Sequence, residues 1–228
     1  MGLYIYAYGI KIDEVYTILG SKDDDIYRRI IECNSYRDLD EPLGHGTFVD
    51  SEIPVSKAIK DLVYGEWDDI KADAAYAFAL LCICQSVRKD LPHDLDIKWG
   101  AETDLINTRL AKDFRLRNFD IEVLLASPFY LFDLPDIYDE LDIEPYECPP
   151  IGILTQTNLR YLKNRLKKIK IDDETVNKLL NSKNPCPQCP GEPSGDQNKG
   201  YEYQNIKWII EDINYCLDNG LEMFTILG

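Results

Sequence analysis

Cys186 and Cys189 form the sharpest local motif of the chain, Cys-Pro-Gln-Cys-Pro. Two thiolates at this spacing can wrap one zinc ion, with the prolines stiffening the turn, and the pattern has the shape of half a zinc ribbon. A structural zinc needs four ligands, and the sequence holds no second CxxC pair. Cys148, Cys216 or a histidine would have to arrive from afar. A redox CxxC opens a helix after a strand, which Pro187, Pro190 and Gly191 oppose. The plainer reading is a pair of loop cysteines.

Only two histidines are present. His45 lies between Gly44 and Gly46 with Asp38, Asp40, Glu41 and Asp50 near it in sequence, and His93 stands in LPHDLD ahead of Asp94 and Asp96. An acid-flanked histidine can act as a general base or a metal ligand. In a chain with 41 acids such neighbours also arise by chance, and a solvated loop histidine is the default. GxSxG, HExxH, the phosphate-cradling GxxxxGK[ST] and GxGxxG are all absent.

A third constellation suits recognition better than catalysis. Between Asn118 and Leu159 there are nine acids and no Lys or Arg; seven of the acids fall within residues 133–147. Phe132, Asp133, Asp136, Tyr138, Asp139, Glu140, Asp142 and Tyr146 combine aromatic anchors with a negative field, the ingredients of a protein-binding epitope. The next segment reverses the sign, with Arg160, Lys163, Arg165, Lys167 and Lys168, so the acidic stretch could equally cover this basic helix of its own chain.

Elements that would position these groups follow from periodicity. Residues 2–8 alternate, with Leu3, Ile5 and Ala7 on one face and Tyr4, Tyr6 and Tyr8 on the other, which predicts a strand. Residues 11–19 carry Ile12, Val15, Ile18 and Leu19 at helical spacing. Ser21 and Asp24 resemble a capping box opening the next helix. Residues 38–51, with Pro42, Gly44 and Gly46, predict a loop. A helix over residues 55–64 ends at Gly65. Residues 70–87 are apolar nearly all round and predict the central buried helix. Shorter helices are expected over 101–114 and 121–126. Thr155 caps a helix striped by Leu159, Leu162 and Leu166, and 172–180 form another. Residues 182–200 read as a loop, mobile over about 183–200. Residues 204–218 form the final helix, with Ile206, Ile209, Ile210, Ile213 and Leu217 inward, and 221–227 close the chain as a strand. With only helices and loops expected between the terminal strands, these two should pair, since a lone strand leaves its backbone unsatisfied. The fold class expected is a mainly helical α+β single domain over residues 1–228.

Composition sets the outer limits. The chain has 228 residues, 45% of them hydrophobic and 11% aromatic, enough to bury a substantial core. A net charge of −16 repels nucleic-acid phosphates and anionic lipid, so direct nucleic-acid or membrane binding is not expected. A protein partner with a basic surface is. The longest uncharged run, residues 74–87, is too short to span a bilayer, which takes roughly 20 apolar residues. The first ten residues lack a signal-peptide pattern. Seven irregularly spaced cysteines suit a reducing cytoplasm better than a disulfide scaffold.

Several segments together resemble a family of uncharacterised bacterial proteins carrying a domain of unknown function. They are the N-terminal MGxY strand in MGLYIYAYGI followed by KIDEV, then AIKDLVYG, the YAxALLC-type helix in AYAFALLC, LP followed by Trp99, the IGxLT motif in PPIGILT, and IKWIIEDINYCLDNGLEMFTIL as a closing helix and strand. The resemblance spans nearly the whole chain and implies one domain of bacterial, cytosolic origin. It implies no activity and no site residues, and the CPQC loop lies outside the pattern.

The function expected is a non-enzymatic, acidic protein-binding module, such as an immunity protein that neutralises a cationic bacterial toxin, with no cofactor. Alternatives are a small-molecule enzyme built on a histidine and carboxylates, a zinc-stabilised adaptor through Cys186 and Cys189, or an accessory protein in phage defence.

Overall fold

Alternation at the N-terminus produces β1 (Tyr4–Ile10) and the apolar C-terminus produces β4 (Glu222–Leu227), which pair antiparallel from Ile5↔Leu227 to Ile10↔Glu222. The structure, a computed structural model, describes residues 4–34, 38–42, 51–66, 73–98, 100–121, 151–182 and 195–227. The expected pairing of the two terminal strands is therefore present, and the chain is an α+β domain. The expectation that only helices and loops lie between them is corrected. β2 (Asp96–Lys98) adds to the free edge of β1 and β3 (Ile151–Leu154) to that of β4, giving a four-stranded antiparallel sheet ordered β2-β1-β4-β3. Strands of three and four residues are too short to show a period of their own.

β1, β3 and β4 alternate between two cores, and β2 adds Ile97 to one of them. Ile10, Phe224, Ile226 and Ile153 face one, with Tyr8 packed beside them; Ile5, Ala7, Met223 and Ile97 face the other. The first core is closed by α1 (Ile12–Ile18), α2 (Asp24–Cys33), α3 (Val55–Tyr64) and α4 (Ala74–Ser86). The second is closed by α5 (Ala101–Lys112), α6 (Gln156–Leu166) and α8 (Gly195–Asn219), with α7 (Asp173–Leu180) packed against α8. Helices thus cover both faces of the sheet.

The apolar run in α4 buries Tyr76, Ala79, Leu80, Leu81, Cys82, Ile83 and Cys84 together, as a helix without a polar face must. α3 ends at Gly65, whose φ of 71° is the left-handed conformation a helix C-terminus favours. Gly9 has a different reason to be glycine. It exchanges two backbone hydrogen bonds of 2.8 Å with Lys89, and a Cβ there would sit 2.8 Å from Leu221 Cδ1.

Among the boundaries that differ from the sequence reading, two have a clear cause. Lys22 takes φ 57°, so the chain turns late and Asp23, not Ser21, caps α2 by accepting from the N–H groups of Asp25 and Ile26. Residues 195–200, read as part of the loop, are the first turns of α8, a helix of 25 residues. Leu180 holds Gly200 so closely that a Cβ at Gly200 would meet Leu180 Cδ2 at 2.9 Å. Polar composition concealed a helix start that tertiary contact dictates. Among the described residues, no helix is long and apolar enough to cross a membrane.

Candidate functional site

On α8 an i, i+4 ladder places Lys207 against Glu211 and puts Trp208, Asp212 and Cys216 on an adjacent row. The loop between α4 and β2 brings His93 onto this surface. His93 Nε2 lies 2.7 Å from Glu211 Oε2, and its ring stacks on the Trp208 indole with centroids 5.3 Å apart and planes 11° from parallel. Glu211 also accepts from Lys207 Nζ at 3.3 Å, and Lys207 reaches Asp173 of α7 at 2.6 Å. The result is a relay Asp173–Lys207–Glu211–His93. Its two carboxylates, Asp173 most of all through its hydrogen bond, raise the Lys207 pKa and hold the ammonium charged.

Behind this surface pair lies Asp212, fully buried, with neither carboxyl oxygen hydrogen-bonded among the described residues. Burial is the main cause that lifts its pKa to about 7. The backbone of His93 opposes the shift, while Glu211 and Asp94 add to it. One turn on, burial first and the Asp212 charge second push the Cys216 thiol up to about 12, so it stays protonated and inert. A carboxyl that titrates near neutrality behind a histidine–carboxylate pair has the makings of acid–base chemistry.

A second polar assembly joins α5 to the start of α8. The Arg109 Nε donates to Glu202, which is 6% exposed, and Asp113 gathers Tyr203 Oη at 2.9 Å and Lys199 Nζ at 3.3 Å. Every charge here has a partner. This cluster fastens two helices.

Of the sequence-derived candidates, His93 is the one brought against other ionisable side chains, Glu211 and, behind it, Asp212. His45 lies outside the described residues, as do Cys186 and Cys189 and the whole epitope of Phe132, Asp133, Asp136, Tyr138, Asp139, Glu140, Asp142 and Tyr146. Cys33, Cys82, Cys84 and Cys216 form no disulfide among the described residues. Among the described residues, no three His, Cys, Asp or Glu side chains converge to hold a metal ion. The sequence reading missed Trp208, Glu211 and Asp212. A signal was present: Asp212 continues the spacing of Ile206, Ile209, Ile213 and Cys216, and Glu202 sits on the same stripe. An acid on the apolar stripe of a helix has to be buried or paired.

In comparison with known proteins, a family profile described as a domain of unknown function (DUF7691) matches residues 1–182. The match includes His93 and ends before α8 begins. No curated protein and no solved structure matches the chain.

Proposed function

The chain belongs to the domain-of-unknown-function family DUF7691, and from that premise we propose that it is a non-enzymatic protein-binding module that engages a partner through a basic face of that partner. The observation that carries this reading is the charge pattern: −16 overall, with nine acids and no Lys or Arg between Asn118 and Leu159, interleaved with aromatics. Such a field speeds encounter with a cationic surface, and a few aromatic anchors fix register and specificity. In its narrower form the module works in the bacterial cytoplasm as an immunity protein, covering the basic face of a toxin such as a nuclease.

The test compares the wild-type chain with a variant carrying Asp133→Asn, Asp136→Asn, Asp139→Asn and Asp142→Asn. Both are tagged, expressed in the native host and recovered at physiological salt, and the retained proteins are identified by mass spectrometry. The reading expects a basic protein held by the wild type and lost by the variant. For the immunity form, the captured protein must also lose its own activity when the wild-type chain, and not the variant, is added. Equal recovery by both chains removes the reading. Stoichiometric zinc in the purified protein, abolished by Cys186→Ser, would instead make it a metal-held adaptor.

The His93 cluster favours a second reading, a small-molecule enzyme in which Asp212 and the His93–Glu211 pair exchange protons with a substrate. Incubation with a metabolite extract, followed by mass spectrometry, checks it. Depletion of a compound by the wild type but not by His93→Gln supports this reading. Identical profiles exclude it.

A further inference from the structure

Against the acidic whole stands one cationic face. Residues 160–170 hold Arg160, Lys163, Arg165, Lys167, Lys168 and Lys170 and not one acid. Lys163, Lys167, Lys168 and Lys170 are exposed. Among the described residues none of these four has a carboxylate within ion-pair distance. Arg165 is held differently, over the Phe119 ring at 5.8 Å, with its guanidinium donating to Tyr161 Oη at 3.3 Å. Its neighbours are left to project.

Two grooves flank this face. One, of about 350 Å³, has Leu166, Ile169, Ile210 and Ile213 along its apolar floor, with Lys163 and Lys170 at its sides. The other, of about 390 Å³, has Phe114, Leu116 and Ile169 below Arg115, Arg165 and Lys168. Lys167 and Ile169 line both, so they form the ridge between them.

We propose that this ridge and its two grooves are a docking surface for an acidic peptide segment of a partner protein, one that places an apolar or aromatic side chain in each groove and its carboxylates on the surrounding lysines. The juxtaposition decides between classes of anion. Nucleic-acid backbone would use the cations but not the apolar floors, and a long polyanion meets the repulsion of the remaining surface. A short peptide lies within about one Debye length, roughly 8 Å, of the patch and meets mostly positive charge. Apolar anchors and carboxylates together use both features of the face. This surface has the opposite sign to the one invoked for the proposed function and is tested with its own probes; were the chain's own acidic stretch to cover it, the mixed peptide would not bind.

The experiment titrates the full chain into a short fluorescein-labelled peptide of glutamates interrupted by one phenylalanine and one leucine, read by fluorescence anisotropy at low salt. Two further probes are a glutamate-only peptide of equal length and an oligothymidylate of equal charge. Binding of the mixed peptide should weaken as salt rises. It should fall about tenfold, a change of about 1.4 kcal/mol, without the two apolar residues. Lys167→Glu together with Lys168→Glu should weaken it by at least about tenfold. Both lysines are exposed, so the variant should keep the wild-type melting temperature, which is measured alongside. Undetectable binding of the mixed peptide, or binding unchanged in the lysine variant, overturns the proposal. Oligothymidylate binding tighter than the mixed peptide overturns it in favour of a nucleic-acid surface.

Discussion

The two helical layers bury similar aliphatic side chains against the same sheet, yet they handle charge in opposite ways. In the α1–α4 layer the two buried carboxylates, Asp61 and Asp73, are engaged, and the unsatisfied polar atoms among the described residues are the neutral Asn34 Oδ1 and Ser21 Oγ. Asp61 accepts from Tyr76 Oη at 2.9 Å and Lys57 Nζ at 2.7 Å, Asp73 caps α4, and the Asn34 amide donates to the carbonyls of Ile30 and Cys82. In the α5–α8 layer one helix, α8, carries acids on its apolar stripe. Glu202 is matched by Arg109, but Asp212 has no hydrogen bond among the described residues. Burying a satisfied acid costs little, whereas burying a lone one opposes folding at any pH where it is charged. One layer is built for stability, and the other retains an expensive group beside a surface histidine. Natural chains keep local costs of this kind at sites that do something.

The largest expected effect sharpens the first half of that contrast. Leu80→Ala removes a fully buried side chain from the middle of α4, within the core that α1–α4 close. The cavity should cost about 3–4 kcal/mol, with a melting temperature lower by about 10 °C, measured by urea and thermal unfolding. A loss below about 1 kcal/mol would mean that this layer collapses around the gap, and the α1–α4 core would not be the rigid one.

Asp212→Asn tests the other half. The native carboxyl holds its proton up to about pH 7, while in the unfolded chain it releases it near its ordinary value of 3.8. Between those values the native state binds more protons, so stability falls as pH rises through this window and is lowest above it. The shift corresponds to a penalty on the order of 4 kcal/mol at pH 8. The variant should match or trail the wild type at pH 4 and exceed it by about 2–3 kcal/mol at pH 8, since the asparagine is still an unpartnered polar group. Urea midpoints across pH 4–8 give the answer. Parallel pH profiles for the two proteins would show that Asp212 is not held unpaired in solution.

How far the sequence revealed this contrast depends on the range of the interactions. α4, the α3 end at Gly65 and the alternation of β1 were legible, because each is set by residues within a few positions of one another. The pairing of β1 with β4 was legible by elimination. β2 and β3 were not, since residues 96–98 and 151–154 become strands only through the edges of β1 and β4. The first turns of α8 were hidden beneath Gly, Asn and Asp, which favour loops until Leu180 packs against Gly200. His93 could be picked out as reactive. Its meeting with Trp208 and Glu211 could not, because that contact depends on where α8 crosses the loop before β2.

Smaller is the effect of Glu202→Gln, which separates a paired buried acid from the unpaired one. The variant leaves Arg109 with Asp113, 3.8 Å away, and partial access to water, so the loss should be about 1–2 kcal/mol. That is the opposite sign to Asp212→Asn at pH 8, although both changes neutralise a buried acid of the same helix. Urea unfolding of the two variants side by side at pH 8 makes the comparison direct. Equal signs would erase the distinction between a fastened cluster and a strained one.

The smallest effect belongs to His93 itself. Its side chain is 24% exposed and that of Glu211 41%, so solvent screens the pair, and their coupling in a double-mutant cycle of His93→Gln and Glu211→Gln should be no more than about 1 kcal/mol. The stack on Trp208 adds a contribution of similar size that the glutamine would also remove. The cycle isolates the His93–Glu211 contact, because both single variants should keep the loop and α8 intact. A coupling well above that value would make the pair a structural clamp, and the α5–α8 layer would then be stabilised at this point in the same manner as the α1–α4 layer. A small coupling leaves His93 energetically free to be used for something else, and makes the metabolite-depletion comparison of His93→Gln a test of function and not of folding.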